Sequence, residues 1–351
     1  MSRSKKPFTL TETGTTAPER VGVAIVGCGA VTRLVRVPVY PRLAELAYIV
    51  GVCDADPARA AEVGQQFATD RLYPTLEDAL ADPDVTAVDI CTPHALHAEQ
   101  AIRALEAGRH VLVEKPIAAS LQDGQRMVEA ARSNARVLAL NEQIRFGSGL
   151  REARAQVEAG SIGELVSVRA HRLFELPAPY AASGWRNDPR VPSAGILIDQ
   201  GPHYVHLLRH LASGVSGEIT HASALAESAQ APAALVHVRF ASGLLGELLL
   251  AWNVPTPPTA AAGYAFGTRG SLEIDRRDAG LVRYGPTGQE QVLVGPDDYL
   301  GAVEACIRDF LQAAASRTHA AEMSGEEGLR DLAVVDAALR SVASGRVEQV
   351  R

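Results

Sequence analysis

VGVAIVGCGAVT, residues 21–32, decides how this chain is read. Six apolar residues of strand type run straight into a glycine turn, with Gly27, Gly29 and Thr32 in the places of a G-x-G-x-x-G/A fingerprint. Gly27 permits the tight turn, and Gly29 lets backbone approach a pyrophosphate. The helix beyond supplies free N–H groups and its dipole. Thr32 departs from the small third residue and either loosens helix packing or lends its hydroxyl to the phosphate.

Context strengthens a motif that is weak alone. The next apolar run, AYIVGVC, ends at Asp54. A carboxylate there accepts both ribose hydroxyls of NAD and repels the 2′-phosphate of NADP, so NAD is expected over NADP. Asp56 caps a helix that opens at Pro57. Further strands follow at AVDIC, VLVE and RVLAL, separated by helices near residues 98–107 and 121–133. Repeated βα units of this kind specify a parallel sheet with helices on both faces. The fold expected is α/β: a Rossmann domain over residues 21–142, preceded by a flexible tail at 1–20. A substrate-binding and oligomerisation domain, 143–351, carries a large open, mostly antiparallel sheet. The signs of that sheet are strand runs such as LVSVRAHR, ITHASALAE, ALVHVRF and LLGELLLAW, with two amphipathic helices near 300–316 and 325–344 closing the chain.

Composition narrows the function classes. Of 351 residues, 47% are apolar and 21% charged, and the net charge of -7 with no basic stripe argues against nucleic acid. No apolar run nears the ~20 residues of a membrane span. The start has no apolar segment of the secretory type. Cys28, Cys53, Cys91 and Cys306 are scattered without a CxxC pair, which fits reduced thiols in the cytoplasm.

Lysine usage singles out one residue. Only three of the 34 basic residues are lysines, and beyond Lys5 and Lys6 the one lysine is Lys115. An ammonium is a compact charge that can give up a proton, whereas a guanidinium keeps its own. Lys115 follows the strand run VLVE, at the carboxyl edge where α/β sheets bind ligands. Thr92 and Pro93 turn the chain at the preceding strand end. His94 and His97 follow, placed either against ligand or as capping and surface residues.

In the second half, a helix over residues 195–211 sets Asp199, His203, His206 and His210 at i, i+4, i+7 and i+11, along one narrow arc. Pro202 deletes one helical N–H without changing the direction of the stripe. Three readings compete: a metal site with no evident fourth ligand, a satisfied polar face, and acid/base chemistry. The last is favoured because histidine titrates near neutrality and a carboxylate can orient it.

Together, GCGAVT, the strand ending at Asp54, CTPHALH, EAGRHVLVEKP, GWR, AGILIDQGPH, GTRGSLEI and GLRDLAVVDAALRSVASGR resemble the Gfo/Idh/MocA oxidoreductases from residue 21 to the C-terminus. The resemblance implies NAD(P)-linked oxidation or reduction of a sugar, aminosugar or cyclitol by a homodimer or homotetramer, with Lys115, Asp199 and His203 as the catalytic set. On this reading Asp199 orients His203. The cofactor site comprises Gly27, Cys28, Gly29, Ala30, Val31, Thr32, Asp54, Ala55, Thr92, Pro93, His97, Glu114, Lys115 and Gln143. The substrate meets Lys115, Asp199 and His203 together with Arg145, Trp185 and Arg186, and Arg172 is a further candidate. His206 stands where the family often has aspartate, which leaves open how the catalytic histidine is held. Two other functions compete: NAD-assisted glycoside cleavage without net redox, and a regulatory protein that binds NAD without turnover.

Overall fold

The computed structural model describes residues 20–182, 195–252, 254–255, 262–276, 279–296, 298–316 and 319–351. The expected tail, save Arg20, therefore lies outside the described residues, as do Trp185 and Arg186.

The fingerprint strand β1 (Val21–Val26) is buried along its whole length and pairs in parallel with β2 (Ala47–Cys53) on one side and β4 (Ala87–Ile90) on the other. With β3 (Leu72–Tyr73), β5 (His110–Glu114) and β6 (Leu138–Asn141) it forms a six-stranded parallel sheet of order β3-β2-β1-β4-β5-β6. That order reverses between β1 and β4, and ligands bind at such a reversal because the flanking crossovers leave a crevice there. The helix after the glycine turn is irregular. A π-turn at Thr32–Arg36 passes into α1 (Val37–Val39) and a 3-10 turn at Tyr40–Leu43, as Pro38 and Pro41 require. Asp56 caps α2 (Pro57–Gln66) by accepting from Ala58 N and Arg59 N. Helices α3 (Leu76–Ala81), α4 (His97–Glu106) and α5 (Leu121–Ser133) complete the crossovers.

After α6 (Ser148–Glu158), β7 (Leu165–Phe174) opens a second sheet. The short α7 (Ala178–Ala181) precedes the long α8 (Ile196–Ser216), which continues through Pro202. Strands β8 (Ile219–Leu225), β9 (Ala233–Phe240), β10 (Leu245–Trp252), β11 (Gly263–Gly267), β12 (Gly270–Arg276), β13 (Ala279–Tyr284), β14 (Glu290–Val294) and β15 (Glu348–Gln349) join β7 in the order β14-β13-β12-β11-β7-β10-β9-β8-β15. Among the described residues, only the β7–β10 pair of this sheet is parallel. Strands β13 and β15 were not foreseen in the sequence.

Helix α8 lies on the inner face of this sheet and is covered by α6 and α10 (Gly325–Ser344), so every residue from Gly201 to Ala212 is buried. Helix α9 (Tyr299–Ala315) returns to the first sheet, where Val303, Ile307, Phe310 and Leu311 pack with Val23, Ile25 and Leu112. The last part of the chain thus shares the core of the first. The sequence pattern, which follows the chain in order, assigned it wholly to the second.

Candidate active site

The glycine turn has the geometry a dinucleotide needs. Gly27 adopts φ +96°, and a side chain there would meet the backbone of Cys91 at 2.9 Å. A Cβ on Gly29 would meet nothing within 4 Å, so this position borders open space. Ala30 and Val31 begin the helix, with Arg33 N bonded to Gly29 O at 3.2 Å. Thr32 is buried and its hydroxyl donates to Gly27 O at 2.5 Å. It closes the turn internally instead of reaching outward. Asp54 directly follows β2, its carboxylate accepting from Cys28 N at 2.7 Å and Asp56 N at 2.8 Å. Ala55 is exposed beside it, and Arg59 stands 3.3 Å away. Burial pushes the Cys28 thiol up to about 12, so this loop cysteine is inert packing.

The next strand ends are tied from behind. Thr92 and Pro93 turn after β4. His97, expected to line the cofactor, is fully enclosed, with Nε2 2.9 Å from Thr92 O and Nδ1 2.8 Å from Pro116 O. Both ring nitrogens are occupied, so it clasps the Thr92 turn to the Lys115–Pro116 turn, whose peptide bond is cis. Glu114 likewise faces inward: its Oε1 pairs with Arg36 Nη2 at 2.9 Å and accepts from Asn141 Nδ2 at 2.8 Å. Arg36 also forks onto Asp89 at 2.8 and 3.1 Å, beneath the crevice.

Lys115 emerges at the carboxyl end of β5 and reaches across to α8. Its Nζ donates to Asp199 O at 2.7 Å and to Asp199 Oδ1 at 3.1 Å. His94 Nε2 approaches the same carboxylate oxygen at 3.7 Å. One helical turn on, His203 Nδ1 lies 2.5 Å from Oε1 of Glu142, the residue directly after β6. The structure therefore brings Lys115, Asp199 and His203 together but corrects their pairing. The Asp199 carboxylate is engaged by Lys115, and Nδ1 of His203 meets Glu142, which the sequence reading passed over in favour of its neighbour Gln143. The available signal was the same as for Lys115, an ionisable residue immediately after a buried parallel strand. Gln143 opens the 3-10 turn Gln143–Phe146 beside it.

Further along α8 the stripe turns to other partners. His206 Nδ1 meets Asp331 Oδ2 at 2.9 Å. Arg209 meets Asp331 at 2.5 Å, Glu218 at 2.9 Å and Glu327 at 3.2 Å. Arg145, a substrate candidate by sequence, pairs loosely with Glu322 at 3.6 Å and Glu327 at 4.0 Å on this side. Arg172 lies over the Phe174 ring at 4.7 Å. Among the described residues no group of three or more His, Cys, Asp or Glu side chains is placed to hold a metal ion, and no helix is long and apolar enough to cross a membrane.

A dinucleotide cradle at the switch point, with a lysine and a histidine delivered to its edge from opposite sides, defines a nicotinamide-dependent oxidoreductase. Residues 21–142 match the model of the oxidoreductase family with an NAD-binding Rossmann fold, and residues 150–273 match the GFO/IDH/MocA C-terminal domain. The chain belongs to the Gfo/Idh/MocA family. It is 29% identical over 308 residues to a 1,5-anhydro-D-fructose reductase of Ensifer adhaerens, covering 83% of this chain and 89% of the relative. An Agrobacterium radiobacter oxidoreductase solved with NAD+, L-tartaric acid and magnesium superposes with a TM-score of 0.82 at 21% identity, over 95% of this chain and 99% of that one. A levoglucosan dehydrogenase solved with NADH and levoglucosan gives 0.81 at 22% identity, over 95% and 100%.

Proposed function

We propose that the protein interconverts a secondary alcohol and a ketone on a cyclic polyol, either a sugar, an aminosugar or a cyclitol, using Lys115, Asp199 and His203. When bound, the nicotinamide supplies a hydride acceptor or donor at C4. Gly27, Gly29 and Asp54 are the residues that would hold the dinucleotide. The observation that carries the reading is that Lys115, from the end of β5, pairs with Asp199 on α8, while His203, one turn further along α8, meets Glu142 at the end of the adjacent strand β6; the relatives' dehydrogenase chemistry calls for an acid, a base and a charge stabiliser.

In the oxidative direction His203 Nε2 takes the hydroxyl proton as the carbon gives up its hydride. Lys115 Nζ donates to the same oxygen and stabilises its developing negative charge. Asp199 holds the ammonium through both its carboxylate and its carbonyl. All three side chains are at most about one-eighth exposed, and a low local dielectric strengthens each of these interactions.

The test follows absorbance of NADH with myo-inositol or levoglucosan plus NAD, and with 1,5-anhydro-D-fructose plus NADH. Turnover of one of these is expected, abolished by Lys115→Ala and by His203→Ala with NADH binding retained. Release of a leaving group with no net NADH would replace this reading with glycoside cleavage, and binding of NADH with neither reaction would point to the regulatory alternative. We also place the protein in a reducing compartment, since its four cysteines are free. Leu235, Leu249, Tyr264 and Phe266 on the outward face of the second sheet support a homo-oligomer. A monomer in sedimentation would remove that part.

A further inference from the structure

We propose that Glu142 is the positioning residue for His203, fixing which ring nitrogen faces the substrate. This rests on the reading of His203 as the acid/base group. Glu142 is fully buried and stands between the end of β6 and the 3-10 turn Gln143–Phe146. Its Oε1 lies 2.5 Å from His203 Nδ1, and its Oε2 has no hydrogen-bond partner among the described residues. A carboxylate only accepts, so the hydrogen in that contact sits on Nδ1, and Nε2 is left as the lone-pair nitrogen. A desolvated carboxylate with a single strong partner is also most favourable when that partner becomes cationic.

Neighbouring charges do not replace it. Asp199, one turn back on the same helix, is engaged by Lys115 Nζ, with His94 Nε2 also near its Oδ1 at 3.7 Å. Proton bookkeeping then closes within the pair. As the substrate O–H bond breaks, an Nε2–H bond forms and Nδ1–H remains on Glu142. The oxygen's electron pair closes the carbonyl, and the hydride would pass to the nicotinamide when that is bound. The imidazolium so formed faces an anion already in place, and reversal returns the Nε2 proton to the carbonyl oxygen during reduction. A contact spanning 61 residues and joining the first sheet to α8 also makes the base's orientation dependent on how the two units dock.

The experiment has two arms. In the first, ¹⁵N-histidine NMR of the NADH-bound protein, with the His203 signal assigned by its loss in His203→Ala, reads the tautomer directly. Nδ1–H is expected in the wild type and is expected to be lost or mixed with Nε2–H in Glu142→Gln. An Nε2–H tautomer in the wild type, or the same pattern in both proteins, overturns the proposal. In the second, whichever of the three probes above is turned over gives kcat and KM. Glu142→Gln is expected to lower kcat about 100-fold with KM changed less than about threefold. Glu142→Asp should recover part of that loss, and Glu142→Gln should have no further effect in the His203→Ala background. Additive losses, or a change confined to KM, overturn the role of Glu142. Full activity in His203→Ala would instead remove the acid/base reading on which it rests. NADH fluorescence and thermal melting check that each variant is folded, and Glu142→Asp carries the test if Glu142→Gln is not.

Discussion

The first and last turns of the α8 stripe carry the same residue types at regular spacing, yet they meet different partners. Asp199 and His203 face the ends of β5 and β6, where Lys115 and Glu142 emerge. His206 and Arg209 face α10 and meet Asp331, deep between two helices. His210 stacks on His206 with ring centroids 5.8 Å apart and lies 3.3 Å from Arg154. Because α8 is enclosed along this length, each polar side chain must find a partner. What lies opposite then decides which partner each one meets. His206 takes its acid from α10, where Asp331 Oδ2 lies 2.9 Å from its Nδ1.

The sharpest way to break this contrast is to exchange the losses. His203→Ala is expected to lower kcat on the order of 1,000-fold, whereas His206→Ala, corrected for the folded fraction, should stay within about threefold of wild type. Steady-state rates with the probe substrate measure both. A comparable loss of kcat in both variants would merge the two halves into one catalytic unit.

Asp331→Ala tests the structural half. It leaves the Arg209 guanidinium and His206 buried without their shared carboxylate, a change that destabilises by about 3–5 kcal/mol. Chemical denaturation reads the loss, and a shift below about 1 kcal/mol would show that the network contributes little.

A smaller effect is expected from pH. Burial pushes His210 down to about 2 and His110 to about 4, both below the ordinary value near 6.5. Between those limits the unfolded chain binds protons that the folded chain does not, so stability is full above about pH 6.5 and falls with acid. The expected slope is at most about 1.4 kcal/mol per pH unit for each histidine. His210→Gln should flatten the curve between about pH 4.5 and 6.5, and denaturation midpoints across that range check it. An unchanged slope would mean that His210 protonates as readily in the folded chain as in the unfolded one.

Asp54→Ala, outside α8 altogether, should reduce preference for NAD over NADP by about tenfold while leaving the α8 contacts untouched. Dissociation constants for the two reduced cofactors decide it, and an unchanged preference would place the discrimination elsewhere.

Much of the first half was readable because its determinants are local. Strand runs, the glycine turn, the Asp56 cap and the helix over Leu121–Ser133 depend on residues within a few positions of one another. The Lys115 oddity and the periodicity of α8 likewise pointed to two residues, Lys115 and Asp199, that the structure brings into contact. The pairing within it was not readable. Asp199 was expected to orient His203 because they are four apart, but Lys115 approaches from 84 residues away and Glu142 from 61. Glu142 itself sits in NEQ, a polar triplet with no periodic signature. His97 and Glu114 were expected to face the cofactor, and only the packing of adjacent turns shows that they face inward.

By itself, then, the sequence determined the elements and the inventory of reactive groups, since backbone preference and hydrophobic period act over short stretches. Which acid meets which base, and which buried histidine faces the end of the first sheet and which faces α10, was decided by the docking of α8 between the two. A buried charge takes the partner that tertiary packing sets within hydrogen-bond reach, and chain separation carries no information about that distance.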